Sequence, residues 1–237
     1  MLGNNKFDNN IEYQYPKPLI EINKKPLIER SLDSLRMILG EKRFIFIVNA
    51  TDCQSYSLDN VLRLVAEPTS VIIPLEKETG GAICSALMAI DYIDNNDPLI
   101  VLNSDQIIDY DLDKITNDFV DRDLDAGIIC FDSVYPKWSY IRLDDDDNVI
   151  ETSEKRPISR NAIAGFYYFK QGNMFVSSAM RTIERDARID GRFYLSSTFN
   201  ELILDDKKLG YYKIPTTDYY NFHSPQILKE YEKKLAR

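Results

Sequence analysis

Short apolar runs separated by stretches of helical spacing constrain the first half of this chain more than any other feature. Arg43-Phe44-Ile45-Phe46-Ile47-Val48, Val71-Ile72-Ile73 and Pro98-Leu99-Ile100-Val101-Leu102 are runs of the kind buried on both faces of a parallel sheet. Between them apolar residues recur at helical spacing: Leu27, Ile28, Leu32, Leu35, Ile38 and Leu39, then Leu58 to Val65, then Ile83, Leu87 and Ile90 behind Gly80-Gly81. This alternation predicts an α/β unit with a mostly parallel central sheet. From Asp125 the strands crowd together over Ala126 to Phe131, Ser139 to Leu143, Val149 to Glu154 and Ala162 to Phe169. The run Asp144-Asp145-Asp146-Asp147-Asn148 lacks the glycine and the distant glutamate of a calcium loop and reads as an acidic hairpin turn. Helices over Met174 to Glu184, Ser196 to Leu204 and Pro225 to Leu235, with a strand over Gly210 to Ile214, complete the pattern. The second half is predicted to be antiparallel and layered onto the first.

No internal repeat, low-complexity segment or Gly/Pro/Ser-rich linker interrupts the 237 residues, so one domain over 1–237 is expected. A hydrophobic content of 44% is enough for a substantial core. The formal charge of -9 argues against a nucleic-acid polymer as partner, which needs a concentrated basic surface. A small phosphate ligand, which needs only a few local cations and backbone amides, stays open. The start carries no basic-then-apolar leader and no apolar run reaches membrane length, so a soluble, cytoplasmic protein with no membrane partner is expected. Cys53, Cys84 and Cys130 show no metal-type spacing and read as structural thiols.

Binding sites on open α/β sheets lie beyond the carboxyl ends of the strands, and in the loops several residues stand out. Lys17, between Pro16 and Pro18, is predicted to be extended and held in a stiff loop, because Pro18 disfavours the helical region for the residue before it. Pro26 suits the first turn of the helix that follows. Asp105, after the strand ending at Leu102, is placed to hold a hard cation such as magnesium, and equally to cap a turn. Gly80-Gly81 would let a backbone approach a flat ring and open a helix whose amide end favours anions; a plain turn reads the same. Glu154-Lys155-Arg156-Pro157 sets two cations beside a carboxylate, suited to a phosphate monoester or to a solvated turn. His223, the only histidine, has no nucleophile partner at a telling position.

Together these blocks resemble the sugar-phosphate nucleotidyltransferases, the pyrophosphorylases that make nucleotide sugars. Their opening pattern, G-x-G-x-R-F followed by P-K-P-L-I-x-I-x-x-K-P-L-I, is matched in part, with one position fewer, by Gly3-Asn4-Asn5-Lys6-Phe7 and in full by Pro16-Lys17-Pro18-Leu19-Ile20-Glu21-Ile22-Asn23-Lys24-Lys25-Pro26-Leu27-Ile28. Gly80-Gly81-Ala82, Asn103-Ser104-Asp105, Glu154-Lys155-Arg156-Pro157 and Ala164-Gly165-Phe166-Tyr167-Tyr168-Phe169 follow in order, and His223-Ser224-Pro225 stands where the family has G-T-P. The resemblance implies a Rossmann-like, mixed but mostly parallel central sheet flanked by helices, the architecture shared with nucleotide-sugar glycosyltransferases. It also implies transfer of a nucleotidyl group from a nucleoside triphosphate to a sugar 1-phosphate, with pyrophosphate released. Gly3 and Lys6 would then cradle the triphosphate, Lys17 would contact the reacting phosphates, and Gly80 with Gly81 would pack against the base. Asp105 would bind Mg2+, Lys155 would hold the acceptor phosphate, and Glu154 and Gly165 would touch sugar hydroxyls. A cytoplasmic role feeding capsular or other surface polysaccharide, and assembly into homo-oligomers, fit the same family.

The chain departs from the pattern in three places. Asn5 replaces the second loop glycine and Lys6 replaces arginine, which removes bidentate phosphate binding while keeping the charge. The usual first strand is missing ahead of Gly3, implying a start from an internal methionine, a truncation, or a sheet with an unfilled middle position. For the second metal ligand, the family's alignment points to Asn221, while the nearest carboxylate is Asp218. Transfer to a non-sugar phosphate such as phosphocholine, and a noncatalytic nucleotide-binding homologue, are the other readings.

Overall fold

The computed structural model describes Phe7 and residues 15–236. A single 3-10 turn, Lys17–Leu19, precedes β1 (Glu21–Ile22), β2 (Lys25–Pro26), α1 (Leu27–Arg36), β3 (Ile45–Asn49), α2 (Ala50–Tyr56), α3 (Leu58–Val65) and β4 (Val71–Leu75). Next come α4 (Ala82–Leu87), α5 (Ile90–Ile93), β5 (Leu99–Leu102), β6 (Gln106–Ile108), α6 (Leu112–Asp121), β7 (Ala126–Asp132), β8 (Ser139–Leu143) and β9 (Val149–Glu154). The chain ends with β10 (Asn161–Phe169), α7 (Gly172–Glu184), α8 (Ser196–Leu204), β11 (Leu209–Lys213), β12 (Tyr219–Asn221) and α9 (Pro225–Leu235). The chain falls into two compact units: residues 1–78, 104–112 and 217–237, and residues 79–103 and 113–216.

In the first unit the proline-flanked segment differs from its sequence reading. Lys17 is not extended; it opens the 3-10 turn, with Leu19 N donating to Pro16 O (2.9 Å) and Ile20 N to Lys17 O (3.1 Å). Both donors lie beyond Pro18, so the turn needs nothing from the amide that proline lacks, and the restriction on the preceding residue is overridden. β1 and β2 then form a two-residue hairpin whose central residues, Asn23 (φ 46°) and Lys24 (φ 62°), both lie in the left-handed region, as a type I′ turn requires. Arg30 of α1 donates from Nε (2.9 Å) and Nη2 (2.6 Å) to Ile22 O and ties the hairpin to the helix. Pro26 precedes the helix rather than occupying its first turn.

α1 buries Leu27, Ile28, Leu32 and Leu35. Leu27 joins a cluster with Phe7, Ile20, Ile22, Ile107, Phe222, Leu228 and Tyr231. Ile28 packs instead with Leu58 and Leu62 of α3, and with Phe46, Val48 and Ile72 from the parallel pair β3–β4. Each such side chain removed from water stabilises the unit by about 1.5–3 kcal/mol. Among the described residues β3 pairs with β4 alone and β5 with β10 alone.

The second unit is built on a mixed sheet in the order β11-β7-β10-β8-β9, with β5 also beside β10. β11 runs parallel to β7, and the other pairings are antiparallel, as the close spacing of the strands predicts. β7 and β10 are buried almost throughout, which explains their unbroken apolar runs. α7 and α8 flank the sheet, where Phe169 of β10 meets Phe175 (5.2 Å between ring centroids) and Phe199 (5.4 Å). Met88 N bonds to Ser85 O and Ala89 N to Ala86 O, so the helix expected to run from Gly81 past Ile90 breaks between α4 and α5. The local sequence holds no helix breaker there.

The acidic run forms the β8–β9 turn as expected. Asp144 Oδ1 accepts from Asp146 N (3.0 Å) and Asn148 N (2.8 Å), and Asn148 Nδ2 donates to Oδ2 (3.1 Å). The Asn148 backbone donor, chiefly, holds the Asp144 carboxyl below its usual range. A depressed carboxyl contributes stability that is full above the unfolded pKa of about 3.9 and is lost as pH falls through the folded value. The protection of the Asn148 amide, its exchange rate compared with an unstructured amide at the same pH, is therefore expected to fall in acid in the native protein, but not in an Asp144→Asn variant. Protection that stays constant through the acid range would contradict this.

Candidate active site

Lys17 and Asp105 meet in the first unit although 88 residues separate them: Nζ lies 3.3 Å from Oδ2, and the side chains are 12% and 28% exposed. The 3-10 turn and the buried Pro18 hold the lysine, and the Phe7 ring lies 5.5 Å from Nζ. Asp105 is fixed through its backbone, where its carbonyl accepts from Phe222 N (2.9 Å). β6, which follows Asp105, pairs antiparallel with β12, and α9 supports that pair through Tyr231 against Tyr220 (4.6 Å) and Phe222 (5.7 Å).

This register distinguishes the two candidates for a second metal ligand. Asn221 stands opposite Gln106, next to Asp105, whereas Asp218 lies at the far end, its carbonyl accepting from Asp109 N (2.8 Å). Three residues of extended strand displace Asp218 by about 10 Å. Its carboxylate accepts from the Thr217 hydroxyl (3.1 Å). Sequence reading missed Gln106 and Tyr219, which complete the surroundings of Asp105. The Tyr219 hydroxyl donates to Gln106 Oε1 (3.2 Å). Burial first, then the Asp105 charge, push the Tyr219 phenol up, against a hydrogen bond with the Asn221 side chain. Among the described residues no cluster of three or more His, Cys, Asp or Glu side chains could hold a metal by itself. One carboxylate with a neighbouring amide suits a hard ion that keeps most positions for water and phosphate oxygens, as magnesium does.

In the second unit, one segment missed by sequence reading links the remaining candidates. Asp190 (φ 50°) and Gly191 (φ 76°) form a tight turn closed by Ile189 N to Arg192 O (2.9 Å) and Arg192 N to Ile189 O (3.1 Å). Asp-Gly between paired residues is a type I′ signal that was present in the sequence. Phe193 then pairs with Gly81, and its amide donates to Gly80 O (2.9 Å). Gly81 (φ 140°) has no room for a side chain, since a Cβ there would lie 2.5 Å from Phe193 N. This close approach of two backbones is a structural reason for the glycine, apart from any ring it faces.

Asp190 reaches Lys155, whose Nζ lies 2.8 Å from Oδ2 and 5.2 Å from the Tyr194 ring centroid. Asp190, chiefly, holds the Lys155 ammonium above its usual range. Glu154 Oε2 accepts from the Ser196 hydroxyl (3.0 Å) and from that of Ser139. Burial raises the Glu154 carboxyl, against those two hydrogen bonds. Gly165 (φ 62°) lies in the bulge of β10 where the register shifts between Ile163 and Tyr167, and its carbonyl accepts from Asn103 N (3.4 Å). Arg156 turns to Glu151 (3.2 Å) at the surface, and His223 Nδ1 lies 3.0 Å from Asn221 O. Gly3 and Lys6 lie outside the described residues.

A family model described as nucleotidyl transferase matches residues 10–215 and so runs across both units. Among solved structures, a nucleoside-diphosphate-sugar pyrophosphorylase from Vibrio cholerae RC9 aligns with a TM-score of 0.79 at 20% identity, covering 94% of this chain and 93% of that one. A putative glucose-1-phosphate thymidylyltransferase from Bacillus anthracis, in complex with a sucrose, aligns at 0.72 and 16%, covering 94% and 87%. A UDP-glucose pyrophosphorylase complexed with UDP-glucose aligns at 0.73 and 16%, covering 93% and 90%. At these identities the likeness is one of fold. No curated protein sequence matches the chain.

Proposed function

The chain belongs to the nucleotidyl transferase family, and from that premise we propose that it joins a nucleoside triphosphate to a sugar 1-phosphate, releasing pyrophosphate and giving a nucleotide sugar. The observation that carries this reading is the Lys17–Asp105 pair, brought to 3.3 Å by a turn and a strand end distant in sequence. The acceptor phosphate oxygen is already anionic when it attacks the α-phosphorus, so no protein base or nucleophile is needed. The Cys130 thiol, buried and pushed up, is unsuited to be one. Catalysis then rests on aligning two polyanions and neutralising the charge that develops. Lys17, drawn from Asp105 to the reacting phosphates, supplies that charge. Asp105 with Asn221 would hold a magnesium ion, which neutralises phosphate charge when bound. Lys155 exchanges Asp190 for the acceptor phosphate, Glu154 and Gly165 take sugar hydroxyls, and Gly80-Gly81 pack against the base.

A phosphocholine acceptor is disfavoured by the aromatic rings beside Lys155. A quaternary ammonium seeks an open aromatic face. Tyr194 is covered by the Lys155 ammonium at 5.2 Å, and Trp138, whose carbonyl accepts from Lys155 N, by that of Lys137 at 4.2 Å. Two ammonium groups so placed repel a choline head and accommodate a neutral sugar. No helix among the described residues is long and apolar enough to cross a membrane. A cytoplasmic role serving surface polysaccharide belongs to the same proposal.

Binding is tested by thermal shift with magnesium and each of ATP, CTP, GTP, UTP and dTTP. A triphosphate at about a hundred times its Kd adds about 2.7 kcal/mol, worth roughly 5–10 °C in a chain of this size. We expect one triphosphate to stabilise the native protein in this way and to lose the magnesium-dependent part of the shift in Asp105→Ala. Equal shifts in the variant would remove Asp105 from the site. No shift with any triphosphate would contradict the reading.

A further inference from the structure

Glu154 is gripped by one oxygen only. β9, which ends at Glu154, lies at the edge of its sheet, and α8 satisfies that edge. Asn200 donates from Nδ2 to Thr152 O (3.0 Å) and accepts from Thr152 N at Oδ1 (2.8 Å), while the Thr152 hydroxyl donates to Ser196 O (2.6 Å). The tether fixes the first turn of α8 at the end of β9 and sets the Ser196 hydroxyl on Glu154 Oε2. Ser139, directly across the ladder from Glu154, donates to the same oxygen from the other side. Among the described residues no hydrogen bond is made to Oε1. Two donors serving only to satisfy a half-buried carboxylate would do so equally well with one on each oxygen; here they converge on one and leave its twin directed elsewhere.

We infer that Ser139 and Ser196 are positioning residues that hold Glu154 by Oε2 so that Oε1 accepts a hydrogen bond from a hydroxyl of the acceptor. The inference rests on the acceptor role given to Glu154 above, and it makes the acceptor a polyhydroxylated phosphate. Neither serine touches the substrate. Each acts by removing rotamer freedom from a side chain that otherwise swings, and by favouring its charged form.

The test compares the native protein with Ser139→Ala, Ser196→Ala, their combination, Ser139→Thr and Glu154→Gln, in magnesium-dependent pyrophosphate release from mildly acidic to mildly alkaline pH. Losing hydrogen bonds to a charged group is expected to raise the acceptor KM roughly tenfold to hundredfold in the double variant, with kcat and the triphosphate KM essentially unchanged. Its acid limb should move to higher pH, because the lost donors favoured the carboxylate. The single alanine variants, each keeping one donor, should lie between, and guard against a folding defect in the pair. Ser139→Thr, which keeps its hydroxyl, should behave as the native protein. Glu154→Gln should weaken the acceptor comparably and make the acid limb insensitive to the serine substitutions. If Glu154→Gln weakens the acceptor while the serine variants leave both KM and the acid limb in place, the inference falls and the functional reading stands. If Glu154→Gln leaves the acceptor KM unchanged, the role of Glu154 falls and the inference with it. Absence of turnover with every sugar 1-phosphate would overturn the functional reading and the inference together.

Discussion

Lys17→Ala is expected to lower kcat about a thousandfold while leaving the fold intact. Two unit charges about 4 Å apart interact by roughly 4 kcal/mol at an effective dielectric of 20. Each 1.36 kcal/mol of transition-state stabilisation is about tenfold in rate. The stability effect should be small, since a partly exposed pair with 12% and 28% of its side chains accessible contributes about 1 kcal/mol or less. Lys17→Arg should recover only part of the rate, because a planar fork replaces a compact charge held by the 3-10 turn. Steady-state kinetics with melting curves separate the two effects. Near-normal turnover in a well-folded Lys17→Ala protein would remove Lys17 from the chemistry.

Gly81→Ala is expected to destabilise the second unit strongly. Its φ of 140° lies in a region that L side chains rarely adopt, and an added Cβ would sit 2.5 Å from Phe193 N and closer still to its carbonyl oxygen. Those neighbours are backbone atoms, so no flexible tip can yield. Strain and overpacking together should cost about 3 kcal/mol or more, lowering Tm by roughly 6–12 °C. The damage should also reach Lys155 and Glu154, the residues proposed to hold the acceptor, since the displaced segment carries their partners Asp190, Tyr194 and Ser196. Gly80→Ala should be far milder, because its Cβ would meet the movable Cys84 Sγ at 3.2 Å. A Gly81→Ala protein that melts like the native one would show that the Phe193 pairing is not a fixed feature of the fold.

The longer strands were legible in the sequence because burial on both faces leaves an unbroken apolar run, as in β7 and β10, whereas the short strands β1, β2, β6 and β12 leave no such run. The place of Asp105, three residues beyond the run that ends at Leu102, was legible for a related reason: polar residues after such a run mark a strand end. What propensity could not convey was partner choice. Lys17 looked extended from its following proline, but a 3-10 turn whose donors lie elsewhere costs that proline nothing. Alignment favoured Asn221 and charge favoured Asp218; the pairing of Tyr219–Asn221 with Gln106–Ile108 places Asn221 next to Asp105. Ser139 and Ser196 carry no motif, because the role inferred for them depends on two distant elements converging on one carboxylate oxygen. The Asp190-Gly191 turn, by contrast, was readable, since Asp-Gly at φ values above zero is among the strongest short-range turn signals.

Nucleotidyl transfer is tested most directly by phosphorus NMR of the native protein mixed with magnesium, the triphosphate that stabilises it, and a set of sugar 1-phosphates. We expect pyrophosphate and a nucleotide-sugar diester to appear together in equal amounts, with no inorganic phosphate. Unchanged substrates throughout, or hydrolysis of the triphosphate without a diester, would contradict the function proposed for this chain.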